Sequence, residues 1–91
     1  MTLQVELVSP ERILYSGDAD MVVCRTTDGE IAFLTGHVPF LGALGIGEVR
    51  IILPDHEVQA VQIDGGFVEV RDDRVIILSD AARLGEAVSE D

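Results

Sequence analysis

His37 and His56, with Asp55 beside the second, come nearest to a metal-binding set, because imidazole nitrogens and carboxylate oxygens are common ligands of zinc and related ions. Neither histidine has a partner histidine at i+2 or i+4, and both stand close to a proline in turn-like sequence, so no metal site is expected. Cys24 lies in the apolar run Met21-Val22-Val23-Cys24 with no base beside it. That setting marks a small buried hydrophobe; a cysteine-dependent hydrolase would need the thiol exposed and unusually acidic. Asp64 and the pair Asp72-Asp73 lack a partnered acid or base and read as turn formers whose carboxylates bond local amides. Gly42-Ala43-Leu44-Gly45-Ile46-Gly47 spaces its glycines as G-x-x-G-x-G, and no long helix follows to offer its N-terminus to a pyrophosphate. The six basic residues are all arginines. Without lysine, Schiff-base catalysis, a P-loop and the modified lysine of lipoyl or biotinyl carrier domains are excluded. No cofactor is expected, and the residues predict no bond chemistry.

The elements that would carry these residues are strands. Leu3, Val5 and Leu7 alternate with Thr2, Gln4 and Glu6, the period of a half-buried strand. Ser9-Pro10-Glu11-Arg12 interrupts the chain, Ile13 to Tyr15 is extended again, and Ser16-Gly17-Asp18 reads as a breaker. Met21 to Thr26 and Ile31 to Leu34 flank Asp28-Gly29, whose tolerance of positive φ suits a tight hairpin. Short apolar segments then recur between turn signals at Gly45-Ile46-Gly47, Pro54-Asp55-His56, Asp64-Gly65-Gly66 and Asp72-Asp73, ending with Val75 to Leu78. Asp80 to Leu84 is the one helical candidate, with Ser79 or Asp80 as cap. The sequence therefore predicts an all-β fold. It is a two-sheet antiparallel sandwich or flattened barrel of many short strands, with at most one short C-terminal helical turn. One domain is expected over residues 1–84, followed by a polar, frayed tail over 85–91.

Apolar residues make up 47% of the 91, enough to offset the entropy of ordering a core, while aromatics are 4% and leave the packing to Val, Ile and Leu. Seventeen acidic residues against six arginines give a net charge of −11, a field that repels phosphate backbones and anionic lipid and favours a partner presenting Arg or Lys. The same charge also serves as a solubilising surface. A single cysteine and the lack of a signal-like or membrane-spanning stretch point to a soluble, unexported chain in a reducing compartment. On these grounds alone the sequence describes an acidic β-sandwich that binds something, including the alternative of a stand-alone small-molecule or metal-binding module.

Several motifs in fixed order go further. Val8-Ser9-Pro10-Glu11, Tyr15-Ser16-Gly17, the run from Asp28 to Pro39 with its Gly36-His37-Val38-Pro39 element, Gly65-Gly66-Phe67-Val68-Glu69-Val70, and Val75 to Ala82 together resemble the epsilon subunit family of F-type ATP synthases. The likeness runs from about Leu3 to Ala82. It implies a non-catalytic rotor subunit at the foot of gamma that touches the polar loops of the c-ring and helps couple proton flow to ATP synthesis. It also implies a peripheral location on the cytoplasmic face of an energy-transducing membrane, reached only indirectly through the c-ring, with no nucleic-acid partner. By that resemblance Asp28, Gly29, Glu30 and Ile31 face the ring, Glu30 being suited to an arginine of a ring loop, and Ser9, His37, Val38, Pro39 and Gly42 face gamma. Ordinary turn chemistry explains Ser9 and Gly42 equally well, loop stiffening Val38 and Pro39, and a backbone-bonded imidazole His37. Ala32 and Thr35 depart from the family's usual residues in the loop. The family's C-terminal helical hairpin has no counterpart in these residues, so inhibition by helix insertion and ATP binding are not expected of this polypeptide.

Overall fold

Alternate burial begins with the first strand: β1 (Leu3–Val8) buries Leu3, Val5 and Leu7 and leaves Gln4 and Glu6 in solvent. The computed structural model describes residues 2–80 and the backbone of 82–84. Within these, β2 (Ile13–Ala19), β3 (Met21–Thr26), β4 (Gly29–Phe33), β5 (Phe40–Ile52), β6 (Val58–Arg71), β7 (Arg74–Ser79) and β8 (Ala82–Leu84) follow in order, with no helix among the described residues. The residues 85–91, expected as a frayed tail, lie outside them.

The strands form one hydrogen-bonded path, β2-β1-β7-β6-β5-β3-β4, with β8 against β6. This path makes two layers because β5 and β6 are long enough to serve both. Residues 40–44 and 66–70 run with β7, β1 and β2, whereas 46–52 and 58–64 run with β3, β4 and β8. Inward side chains from both layers, among them Leu7, Val22, Phe33, Ile51, Ile63 and Ile77, meet in a single buried cluster. Each such side chain contributes about 1.5–3 kcal/mol relative to exposure.

The long strands depart from expectation. Gly45-Ile46-Gly47 and Asp64-Gly65-Gly66 do not reverse the chain; they lie inside β5 and β6, where Leu44 pairs with Gly66 and Ile46 with Asp64 in unbroken register. Gly45 and Gly65 face each other at the corner, and two opposed residues without side chains let a paired ribbon bend sharply while its ladder continues. Ser16-Gly17-Asp18 likewise falls within β2, opposite Glu6, Val5 and Gln4.

Two further features correct the sequence reading. β1 lies parallel to β7, with Val5 beside Val75. Parallel neighbours need a long crossover, and here almost the whole chain supplies it. The C-terminal segment expected as a helical turn over 80–84 is instead a strand from Ala82 to Leu84, paired with Val61 to Ile63. The Asp80 amide donates to Gly65 O at 3.0 Å, so a group that a capped helix would leave free continues the sheet ladder.

Candidate functional site

The β3–β4 hairpin holds the four residues expected to face the ring. Its central residues are Thr27 and Asp28, neither with positive φ; Gly29, at φ 131°, absorbs the mismatch as the first residue of β4. This corrects the expectation that Asp28-Gly29 occupies the turn itself. Thr26 Oγ1 accepts from the Asp28 amide at 3.1 Å and donates to Gly29 O at 2.8 Å, and the Thr27 amide reaches Ala43 O at 3.3 Å. Asp28 is exposed, whereas Ile31 packs partly against the core opposite Cys24. Glu30 lies opposite Arg25 and makes an ion pair with Arg50 at 3.4 Å, so its carboxylate has a partner within the chain. Both side chains are about half exposed, and such a pair contributes about 0–1 kcal/mol, little enough to be exchanged for another arginine. The pairing depends on β4-β3-β5 register, which sequence spacing does not reveal.

His37, Val38 and Pro39 share the loop between β4 and β5. His37 packs edge-on against Phe33, with ring centres 4.9 Å apart, and Phe40 tilts against the same ring at 5.5 Å. Since a carbonyl can only accept, the 2.7 Å contact from His37 Nδ1 to Val38 O places a proton on Nδ1. The His37 amide also closes a turn to Leu34 O at 3.1 Å. With its imidazole so occupied, the loop turns Leu34, Val38 and Pro39 outward; Val38 is 68% exposed. Gly42 lies in β5, and a Cβ there would sit 2.7 Å from the Phe40 ring. Its bareness admits that ring over the strand, so Gly42 supports the aromatic group and presents no side chain of its own.

Ser9 closes the β1–β2 turn, its amide and hydroxyl both donating to Arg12 O at 2.9 and 3.2 Å. It does not join the His37 loop: β7 and β6 separate β1 from β5, and the loop leads into Phe40 whereas the row of Val8, next to Ser9, meets β5 at Ala43. What connects the two is the outer face of the layer. Strand register aligns Ile13, Val8, Leu78, Phe67 and Ala43 in one apolar row across five strands, roughly 19 Å at the usual spacing. Ile13, Phe67 and Leu78 are 61, 58 and 55% exposed. Leu41, 73% exposed, adds to this face one position nearer the His37 loop. The sequence reading missed this row. The phase of each strand was its signal, since buried Val68, Val70, Val75 and Ile77 force Phe67 and Leu78 outward.

Asp73 also differs from expectation. Asp72 and Asp73, at φ 52° and 60°, form the two-residue turn between β6 and β7, but the Asp73 carboxylate bonds no neighbouring amide. It accepts from the Gly36 amide, 37 residues away, at 2.7 Å. Cys24 is fully buried, and loss of solvation pushes its thiol up to about 12, so it is no nucleophile at neutral pH. Among the described residues no three His, Cys, Asp or Glu side chains gather as a metal site. A groove of about 380 Å³ between Pro39, Leu41 and Arg71 runs beside Glu69 and Asp72, which both lie within 4 Å of that arginine. Nothing in it favours the stand-alone binding module.

Residues 2–85 match the sequence profile of the ATP synthase, Delta/Epsilon chain, beta-sandwich domain. The chain belongs to this family. It is 49% identical over 85 residues to the ATP synthase epsilon chain of Frankia casuarinae, covering 92% of this chain and 99% of that one. With the epsilon chain of Micrococcus luteus it shares 47% identity over 96% of each chain, and with that of Alkalihalophilus pseudofirmus 46% over 99% of this chain and 67% of the relative. The fold superposes on a chain of the Euglena gracilis mitochondrial ATP synthase at a TM-score of 0.86, with 22% identity over 91% of this chain and 53% of that one. A chain from the central stalk and c-ring of the Tetrahymena thermophila mitochondrial enzyme gives 0.72 at 17% identity, over 91 and 66%. These two likenesses show a shared fold.

Proposed function

We propose that this delta/epsilon-family chain is a non-catalytic rotor subunit of a proton-translocating F-type ATP synthase that joins gamma to the c-ring. It sits peripherally on the cytoplasmic side of the membrane and has no lipid contact of its own. The observation that carries this reading is the outer face on which an apolar row, Leu41 and the rigid Leu34–Pro39 loop border one another. The largest apolar patch on a monomer is often functional, and a five-strand row bordered by a loop with exposed Val38 and Pro39 suits the apolar centre of a protein interface. Within it, Val38 and Pro39 are assigned to direct contact with gamma, His37 and Gly42 to holding the loop that presents them, and Ser9 to the far border. The acidic β3–β4 turn, with Asp28, Gly29, Glu30 and Ile31, is assigned to the ring, where an arginine can replace Arg50 as the partner of Glu30. No reacting group and no ATP site enter this role.

Co-expression with gamma followed by size-exclusion chromatography tests the reading directly. The two are expected to elute together, Phe67→Asp is expected to separate them while leaving the sandwich folded, and Glu30→Arg is expected to reduce capture by a reconstituted c-ring. Independent elution of the unmodified chain from both rotor partners contradicts the assignment.

A further inference from the structure

The Gly36-His37-Val38-Pro39 loop is held at both ends by strands, but its middle hangs at the edge of a layer where β5 has only just begun. Its two other described hydrogen bonds, from the His37 amide to Leu34 O and from His37 Nδ1 to Val38 O, are internal and fix its shape, while the His37 ring rests on Phe33. One bond ties the middle of the loop to another part of the fold: the Gly36 amide donates to Asp73 Oδ1 at 2.7 Å. Asp73 is itself doubly anchored. Its φ of 60° belongs to the tight β6–β7 turn, and its carbonyl accepts from the Gln4 amide at 2.9 Å, so the residue pins β1, the hairpin and the loop at one point.

We infer that Asp73 is a positioning residue for partner docking: its carboxylate sets where the loop presents Val38 and Pro39. The inference rests on the proposed gamma-facing role of that loop. A carboxylate–amide bond of this length is charge-assisted and about twice as strong as a neutral one, enough to select one loop position from several of similar energy. Asp73 need not touch the partner. It lowers the ordering cost of association by holding the loop in its bound arrangement beforehand.

Asp73→Gly keeps the positive φ and the carbonyl bond to Gln4 while deleting the carboxylate; Asp73→Asn keeps the φ preference and one acceptor oxygen. In the full chain, amide exchange at Gly36 is expected to quicken by about tenfold in Asp73→Gly, with affinity for gamma falling by a similar factor; tenfold corresponds to about 1.4 kcal/mol, the size of one such hydrogen bond. Asp73→Asn is expected within about threefold of the unmodified protein in both measurements. Faster Gly36 exchange with unchanged gamma affinity overturns the inference, as does unchanged exchange. Val38→Asp separates it from the reading beneath it, because Val38 is a direct contact in that reading and takes no part in the Asp73 bond. If Val38→Asp binds gamma normally, the docking assignment is wrong, and Gly36 exchange in Asp73→Gly alone still decides whether Asp73 holds the loop.

Discussion

The β3–β4 and β6–β7 hairpins both reverse the chain through two residues, yet they divide the work of the molecule differently. At Thr27-Asp28 neither φ is positive, the strain of joining two right-twisted strands passes to Gly29, and the exposed Asp28 carboxylate makes no described hydrogen bond. At Asp72-Asp73 both residues take the left-handed conformation that the twist prefers, and the second carboxylate reaches across to Gly36. The first turn leaves its Asp28 carboxylate in solvent; the second ties that of Asp73 into the fold. Two acidic turns that look alike in sequence thus differ in whether a carboxylate is tied to a distant loop, a difference that goes with the conformation of their central residues.

The comparison is broken most severely by Asp72→Val with Asp73→Val. Left-handed φ costs a β-branched residue about 1–2 kcal/mol, and the Gly36 bond is lost as well, so urea denaturation should show a loss of about 3 kcal/mol. Asn-Gly at the same two positions accepts the same turn and should lose only the Gly36 bond, about 1 kcal/mol. A second difference lies on the inner sides. β3 carries Cys24 in the core, whereas the buried residues of the β6–β7 hairpin include no acid or base. Burial lifts the Cys24 thiol from 9.0 to about 12, so the folded chain keeps a proton that the unfolded chain releases. Stability is full below pH 9 and falls as pH rises towards 12. By pH 11 the decline due to this group should reach about 2–3 kcal/mol, and the pH slope of Cys24→Ala should lack it, whatever that variant's stability at neutral pH.

Gly29→Ala should cost about 1 kcal/mol from backbone strain alone, because a Cβ there meets nothing within 4 Å. Asp28→Ala should change stability by less than about 0.5 kcal/mol in the same assay and affect only capture by the c-ring. A large stability loss from Asp28→Ala would erase the distinction between the two turns.

Strand identity and phase were legible because buried Val, Ile and Leu recur at period two, from Leu3-Val5-Leu7 to Val75-Ile77. The corner of the sandwich was not. Gly45 and Gly65 carry the same local signal whether a chain reverses or merely bends, and only their facing each other across β5 and β6 decides the matter. The motif order identified the family, and His37, Val38 and Pro39 were found together. The Glu30–Arg50 pair and the Asp73–Gly36 bond escaped because each joins residues 20 or 37 positions apart through a register that no local pattern encodes. The apolar row escaped for a related reason: Ile13, Leu78 and Phe67 look like core residues one at a time, and become a surface only when their strands are set side by side.

β5 and β6 pass uninterrupted from one layer into the other, so the sandwich has no hinge at its corner. A pull on either layer runs along continuous backbone ladders into the other and must be borne as shear of many paired amides at once. Two partners gripping opposite layers would therefore feel each other's motion with little slack, as through a short stiff spring.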